Sequence, residues 1–99
     1  MGQINVNVEG LRSTATKFIS AATRCTQMKS QLETSTNETM SLWTGNGKSA
    51  FEIEFQIMCK NMITYSDALK DISAEFTAIA QGFEDRDKLL NNDILRNIK

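Results

Sequence analysis

The chain of 99 residues contains no proline and no histidine, and its only cysteines are Cys25 and Cys59. Without proline, no stretch of backbone is barred from a helix interior. Without histidine or a CxxC pair, the ligand sets that hold zinc cannot be assembled. The commonest general base is missing too, and no nucleophile–base–orienter set or carboxylate cluster replaces it, so an enzyme is not expected and no cofactor is implied. Two cysteines are too few for the disulfide framework of a small secreted scaffold. An excess of one charge is also lacking. Eleven Lys and Arg are interspersed with twelve Asp and Glu, which leaves no basic face to follow a phosphate backbone, and nucleic acid is not an expected partner.

Long apolar runs are missing as well. No stretch approaches the roughly 20 apolar residues that cross a bilayer. The opening MGQINVNVEG has neither the basic n-region nor the apolar h-region of a Sec signal. Met1-Gly2 begins like a myristoylation site, but Val6 stands where Ser or Thr belongs. The reading is a chain made in the cytoplasm in soluble form, with any export depending on another signal. With no linker-like segment and no internal repeat, one domain over residues 1–99 is expected. So short a chain buries a limited share of its surface and often gains stability by association.

Two apolar stripes dominate what is present. Val8, Leu11, Ala15, Phe18, Ala22, Cys25 and Leu32 recur at steps of three and four. Lys29 interrupts that rhythm, and Met28 beside it is read as filling the gap. Asn7 is placed as the N-cap, with Val6 and Leu11 forming a hydrophobic staple across it. In the second half, Phe51, Phe55, Met58, Met62, Tyr65, Leu69, Ile72, Phe76, Ile79 and Phe83 alternate steps of four and three without a miss. The spacing predicts helices over about 8–40 and 48–82, a turn at 41–47 and a tail from 83 to 99. Core packing accounts for these aromatics and methionines without a cofactor site. Ala50, Ile53 and Ile57 lie off the seam on the outer face of the second helix.

The fold class is therefore all-α, an antiparallel two-helix hairpin that pairs with another hairpin as a four-helix bundle. Phe18, Phe51, Ile53, Phe55, Ile57, Met58 and Met62 are the candidate seam for that partner. If the reversal centres near Thr44, Cys59 lies opposite about residue 29 rather than Cys25. That is an axial offset of about 6 Å added to roughly 8–10 Å between axes, beyond the reach of a disulfide. Both cysteines are read as buried free thiols.

Between the stripes stands LWTGNGKSAF, residues 42–51. Gly47, Lys48 and Ser49 look like the end of a phosphate-binding loop, but Leu42 occupies the place of its first glycine, and the polar STNETMS before it has no strand pattern. A corner explains the stretch better. Gly45 and Gly47 permit a sharp reversal. Asn46, Thr44 or Ser49 can cap the second helix, and Trp43 can close the end of the core with its ring.

Trp43-Thr44-Gly45 at mid-chain, between two amphipathic helices in about one hundred residues, resembles the WXG family of small bacterial proteins. The resemblance covers the whole length. It implies a substrate or partner of a type VII secretion system, with Trp43 and Gly45 as the turn motif, recognised by the secretion ATPase and exported without a Sec signal. The family's export motif Y-x-x-x-[DE] corresponds here to Phe83 and Asp87 in QGFEDRDK. Phe83 keeps the ring and lacks the hydroxyl. That phenylalanine version is similar to the small WXG-like helical partners of LXG toxins. The resemblance thus implies pairing with itself or with another WXG or LXG helical protein, and no small-molecule substrate. A targeting factor that forms a hetero-complex with a toxin stands beside the self-paired substrate. A membrane-active amphipathic protein is a more distant alternative, opposed by the mixed charges. After Gly82, residues Leu90, Ile94 and Ile98 form a short amphipathic tail.

Overall fold

The computed structural model describes residues 7–45 and 47–98, with side chains through position 91. The described residues form two helices, α1 (Val8–Met40) and α2 (Gly47–Ile98), packed against each other as an antiparallel hairpin. The rod measures 83 × 21 × 18 Å. Its length follows from α2, whose 52 residues span roughly 78 Å at 1.5 Å per residue.

The start of α1 is capped as the sequence suggests. The Asn7 side-chain oxygen accepts from the Gly10 amide at 2.9 Å, satisfying one of the amides left without a partner in the first turn. The Val6 half of the expected staple lies outside the described residues. At the other end the chain tightens: the Leu42 amide donates to the Thr39 carbonyl and the Trp43 amide to the Met40 carbonyl, both at 3.1 Å. Gly45 then takes φ +120°, a left-handed conformation that a side chain would strain. The expected Asn46 cap falls on an undescribed residue. α2 continues as helix through 83–98, where the spacing predicted a tail beyond a helix ending near 82. With no proline to stop it and only one glycine at Gly82, nothing in the chain ends the helix there.

The packing between the helices is set by small residues, and this corrects the expected seam. Ala15 and Ala22 of α1 are buried against Ser66, Ser73 and Ala80 of α2, which recur every seven residues. The Ser66 hydroxyl donates to the Ala22 carbonyl at 3.1 Å, and the Ser73 hydroxyl to the Ala15 carbonyl at 2.7 Å. A side chain as short as serine reaches a neighbouring backbone only when the helices lie close, and the methyl groups of Ala15 and Ala22 leave room for that approach. Each hydroxyl is buried because it has found an acceptor. Among the described residues no buried side-chain polar atom lacks a partner.

Half of the expected α2 stripe shares this interface. Phe55, Met62, Leu69, Phe76 and Phe83 are half-buried along its flank, and Phe76 stacks on Phe18 with ring centroids 5.7 Å apart. The other half does not. Phe51, Met58, Tyr65, Ile72 and Ile79 are 37–62% exposed. Size misleads here: the bulkiest residue of each turn cannot occupy the line of closest approach, so the neighbouring small residue takes it.

The reading of Lys29 as a break is corrected in the same way. Ala15, Ala22, Lys29 and Thr36 follow the seven-residue step toward α2, whereas Met28, one residue off that line, is 53% exposed. Lys29 lays its aliphatic stem along the groove and carries its ammonium to Glu33, 2.6 Å away. The expected register, with Cys59 opposite residue 29, is found, since Lys29 and Cys59 line one groove. Both cysteines are free thiols and half-buried rather than buried.

This packing makes a specific demand on Ala22. Ala22→Leu should cost about 1–3 kcal/mol in chemical denaturation, because the added volume forces the helices apart. Ser73→Ala should cost about 1 kcal/mol, because the Ala15 carbonyl it releases keeps its own helical hydrogen bond.

Candidate functional site

Three features of the surface could carry function, and they lie at the two ends and along one side of the rod. At the closed end, the Trp43 ring tilts onto Phe51 with centroids 5.3 Å apart, and Phe51 stacks on Phe55 at 6.2 Å. The indole thus covers the last turn of the seam but remains partly open to solvent. A Cβ at Gly47 would stand 3.5 Å from the Trp43 ring, an ordinary contact, so of the two motif-region glycines only Gly45 is demanded by backbone geometry. Leu42, on the outside of the corner, is 85% exposed.

Along one side runs the apolar row that the close helix contact leaves uncovered. On α2 it comprises Met58, Tyr65, Ile72 and Ile79. Cys25 of α1 joins it, since it lines a shallow depression with Met58, Met62 and Tyr65. Phe18 and Leu32 stand seven residues to either side of Cys25 and so share its face. Of the residues expected to form the partner seam, Phe18, Met58 and Met62 belong to this face. Phe51 and Phe55 line the groove beside α1 on the opposite side. Ile53 and Ile57, 58% and 49% exposed, lie on the outer flank, with Ile57 bordering the depression.

The opposite side is more polar. Near the corner, α1 offers Lys29, Glu33 and Thr36 to Phe55, Cys59 and Ile63 of α2, and the mismatch leaves a groove of about 500 Å³. The Glu33 carboxylate raises the Lys29 pKa above its ordinary value, mainly through their hydrogen bond, so the ammonium stays charged.

At the open end lies a polar clasp that has no local signature in the sequence. Arg12 of α1 donates from Nε to Glu84 Oε1 and from Nη2 to Glu84 Oε2, both at 3.0 Å, and from Nη2 to Gln81 Oε1 at 2.9 Å. Gln81 in turn donates from Nε2 to Asp85 Oδ1 at 3.0 Å. Phe83 and Asp87 flank Glu84 on the same helix; Phe83 is half-buried and Asp87 exposed. Their spacing of four puts ring and carboxylate on one helical face. The Trp43 corner of the same chain is at the far end of the rod, so one protomer does not bring the two motifs together. Arg12, Gln81 and Glu84 escape a reading of the sequence because a contact between helices depends on their register, which leaves no local pattern.

The clasp titrates in a defined direction. The hydrogen bond from Arg12 is the main cause that lowers the Glu84 pKa below its ordinary 4.5, and the Glu84 partner raises that of Arg12 further. A carboxyl held low when folded adds stability above its ordinary pKa and loses it as pH falls through the folded value. The stability difference between the native chain and Arg12→Ala should therefore be constant near neutrality and shrink on acidification below about pH 4.5. Denaturant midpoints measured at several pH values, at low salt, check this.

Among the described residues, no group of three His, Cys, Asp or Glu is assembled to hold a metal ion, and no helix is long and apolar enough to cross a membrane. What the surface offers is contact area and a pair of end motifs. No curated protein matches this sequence. A family model does: WXG100, described as proteins of 100 residues with WXG, matches residues 3–88. That span includes both helices' packed portions, the Trp43-Thr44-Gly45 corner and the Phe83–Asp87 segment, and the chain belongs to the WXG family of small helical proteins associated with type VII secretion.

Proposed function

We propose that this chain is a non-enzymatic type VII secretion protein that works as a head-to-tail pair of hairpins, exported itself and able to carry a co-exported partner. Proteins of this family generally form helical dimers with partners. The observation that carries the reading is the apolar face of Met58, Tyr65, Ile72 and Ile79, edged by half-buried Phe18 and Cys25, which the chain's own fold leaves exposed. A face of this length on a small protein calls for a protein partner.

The order of the pairing follows from how the two halves of the rod differ. Near the corner, α2 is rich in large apolar residues (Phe51, Ile53, Phe55, Ile57, Met58), while the facing stretch of α1 is polar. The open-end half supplies Leu11, Phe18, Ile72 and Ile79. Head-to-tail packing lays each poorly covered corner half against the other chain's open half. It also brings Phe83 and Asp87 of one chain beside the Trp43 corner of the other, a composite end that the secretion ATPase would read. The targeting reading uses the same face, with a different helical hairpin, such as the helical part of a toxin, in place of the second copy.

Light scattering on a dilution series should give twice the 11.1 kDa chain mass, and Tyr65→Glu should shift the dimer toward monomer at least tenfold while circular dichroism stays helical. A folded monomer at all concentrations would remove self-pairing and direct the search to a co-purifying hairpin. Cys25 stands near the midpoint of α1, where a head-to-tail pair meets its own two-fold axis. Under a mild oxidant the Cys59→Ser chain should form a covalent dimer and the Cys25→Ser chain should not. For export, Phe83→Ala and Asp87→Ala chains that remain dimeric should be retained in the cell, and normal secretion of both would discard the composite end.

A further inference from the structure

The groove near the corner, the outer isoleucines Ile53 and Ile57, and the open-end clasp are the features that the pairing face does not use. Only for the clasp do independent observations converge. Gly82 lies in the interior of α2 with a helical backbone, and a Cβ built there meets nothing within 4 Å. No packing contact and no positive φ requires glycine at this position. The residue nevertheless weakens the helix, because glycine loses more backbone freedom on becoming helical than any other residue. Around this weak turn the Arg12 clasp is built: Gln81 precedes the glycine, Glu84 and Asp85 follow it, and Arg12 holds Gln81 and Glu84 from the other helix. Beyond the clasp α1 has only one more turn, to Val8, so α2 soon runs on alone and exposes Leu89 and Leu90.

We infer that Gly82 is a hinge in α2 and that Arg12 is the latch that keeps it straight. While Arg12 grips Gln81 and Glu84, the helix is continuous and Phe83 and Asp87 stay on one face. When the first turns of α1 lift away, the tie from α1 across the glycine is lost, leaving only contacts within α2 such as Gln81–Asp85, and the last part of α2 unwinds or swings as a unit. Arg12 is then a positioning residue, and the latch is ionic, half-exposed and sensitive to what approaches the open end. The hinge stands on these contacts alone; its bearing on export rests on the function proposed above.

Hydrogen exchange with mass spectrometry on the full chain separates the two. In Arg12→Ala, amides 82–88 should exchange at least tenfold faster than in the native chain, while those around Ser66 and Ser73 keep their rates. Gly82→Ala, which the open space admits, should slow amides 82–88 about five-fold through helix propensity alone. The double variant Arg12→Ala/Gly82→Ala should exchange several-fold more slowly than Arg12→Ala, because the alanine restores helical order without restoring the ionic contact. Native rates in Arg12→Ala, or a double variant as fast as Arg12→Ala, would overturn the hinge. Export is then read in the same variants. Altered exchange with unchanged export leaves the hinge standing and removes the signal reading of Phe83 and Asp87.

Discussion

The close approach of the two helices, fixed by hydroxyls of Ser66 and Ser73 bonded to the carbonyls of Ala22 and Ala15, is the constraint on which the rest depends. It locks the register in antiparallel order at two points seven residues apart. From that register follow Lys29 beside Cys59, Phe18 against Phe76, and Arg12 level with Gln81 and Glu84. Apolar contacts alone would tolerate sliding, since one large side chain packs against another nearly as well one turn along. A buried hydroxyl does not, because a shifted register leaves it without an acceptor in a place water does not reach.

The same closeness creates the exposed apolar surface. When small residues occupy the contact line, the large ones are pushed to its flanks, and Met58, Tyr65, Ile72 and Ile79 meet solvent. Two helices cannot cover each other on more than one side, so an amphipathic stripe wider than the contact stays partly exposed. The fold is in this sense half of a structure.

The ends of the rod are held by different physics. The corner is a covalent reversal with Gly45 in a left-handed conformation and Trp43 laid on Phe51. The open end is held by a partly exposed guanidinium–carboxylate pair, which is screened by salt and weakened by protonation of Glu84. Phe83 and Asp87 stand at the end held by this ionic contact.

The sequence by itself determined the two helices, the Asn7 cap, the reversal at Gly45 and the resemblance carried by Trp43-Thr44-Gly45, because capping, periodicity and turn chemistry are local and each leaves its mark on neighbouring residues. The family match then rests on the same residues that were legible from the start. What only the tertiary structure decided is which side of each stripe is the inside. Hydrophobicity ranks Tyr65 and Ile72 above Ser66 and Ser73, yet the serines are buried and the larger residues exposed. That inversion could not be read in one helix, because it depends on the distance to the other. The distance is set by the smallest residues on both, and with it come the Arg12 clasp, the place of Lys29 and the apolar face left exposed.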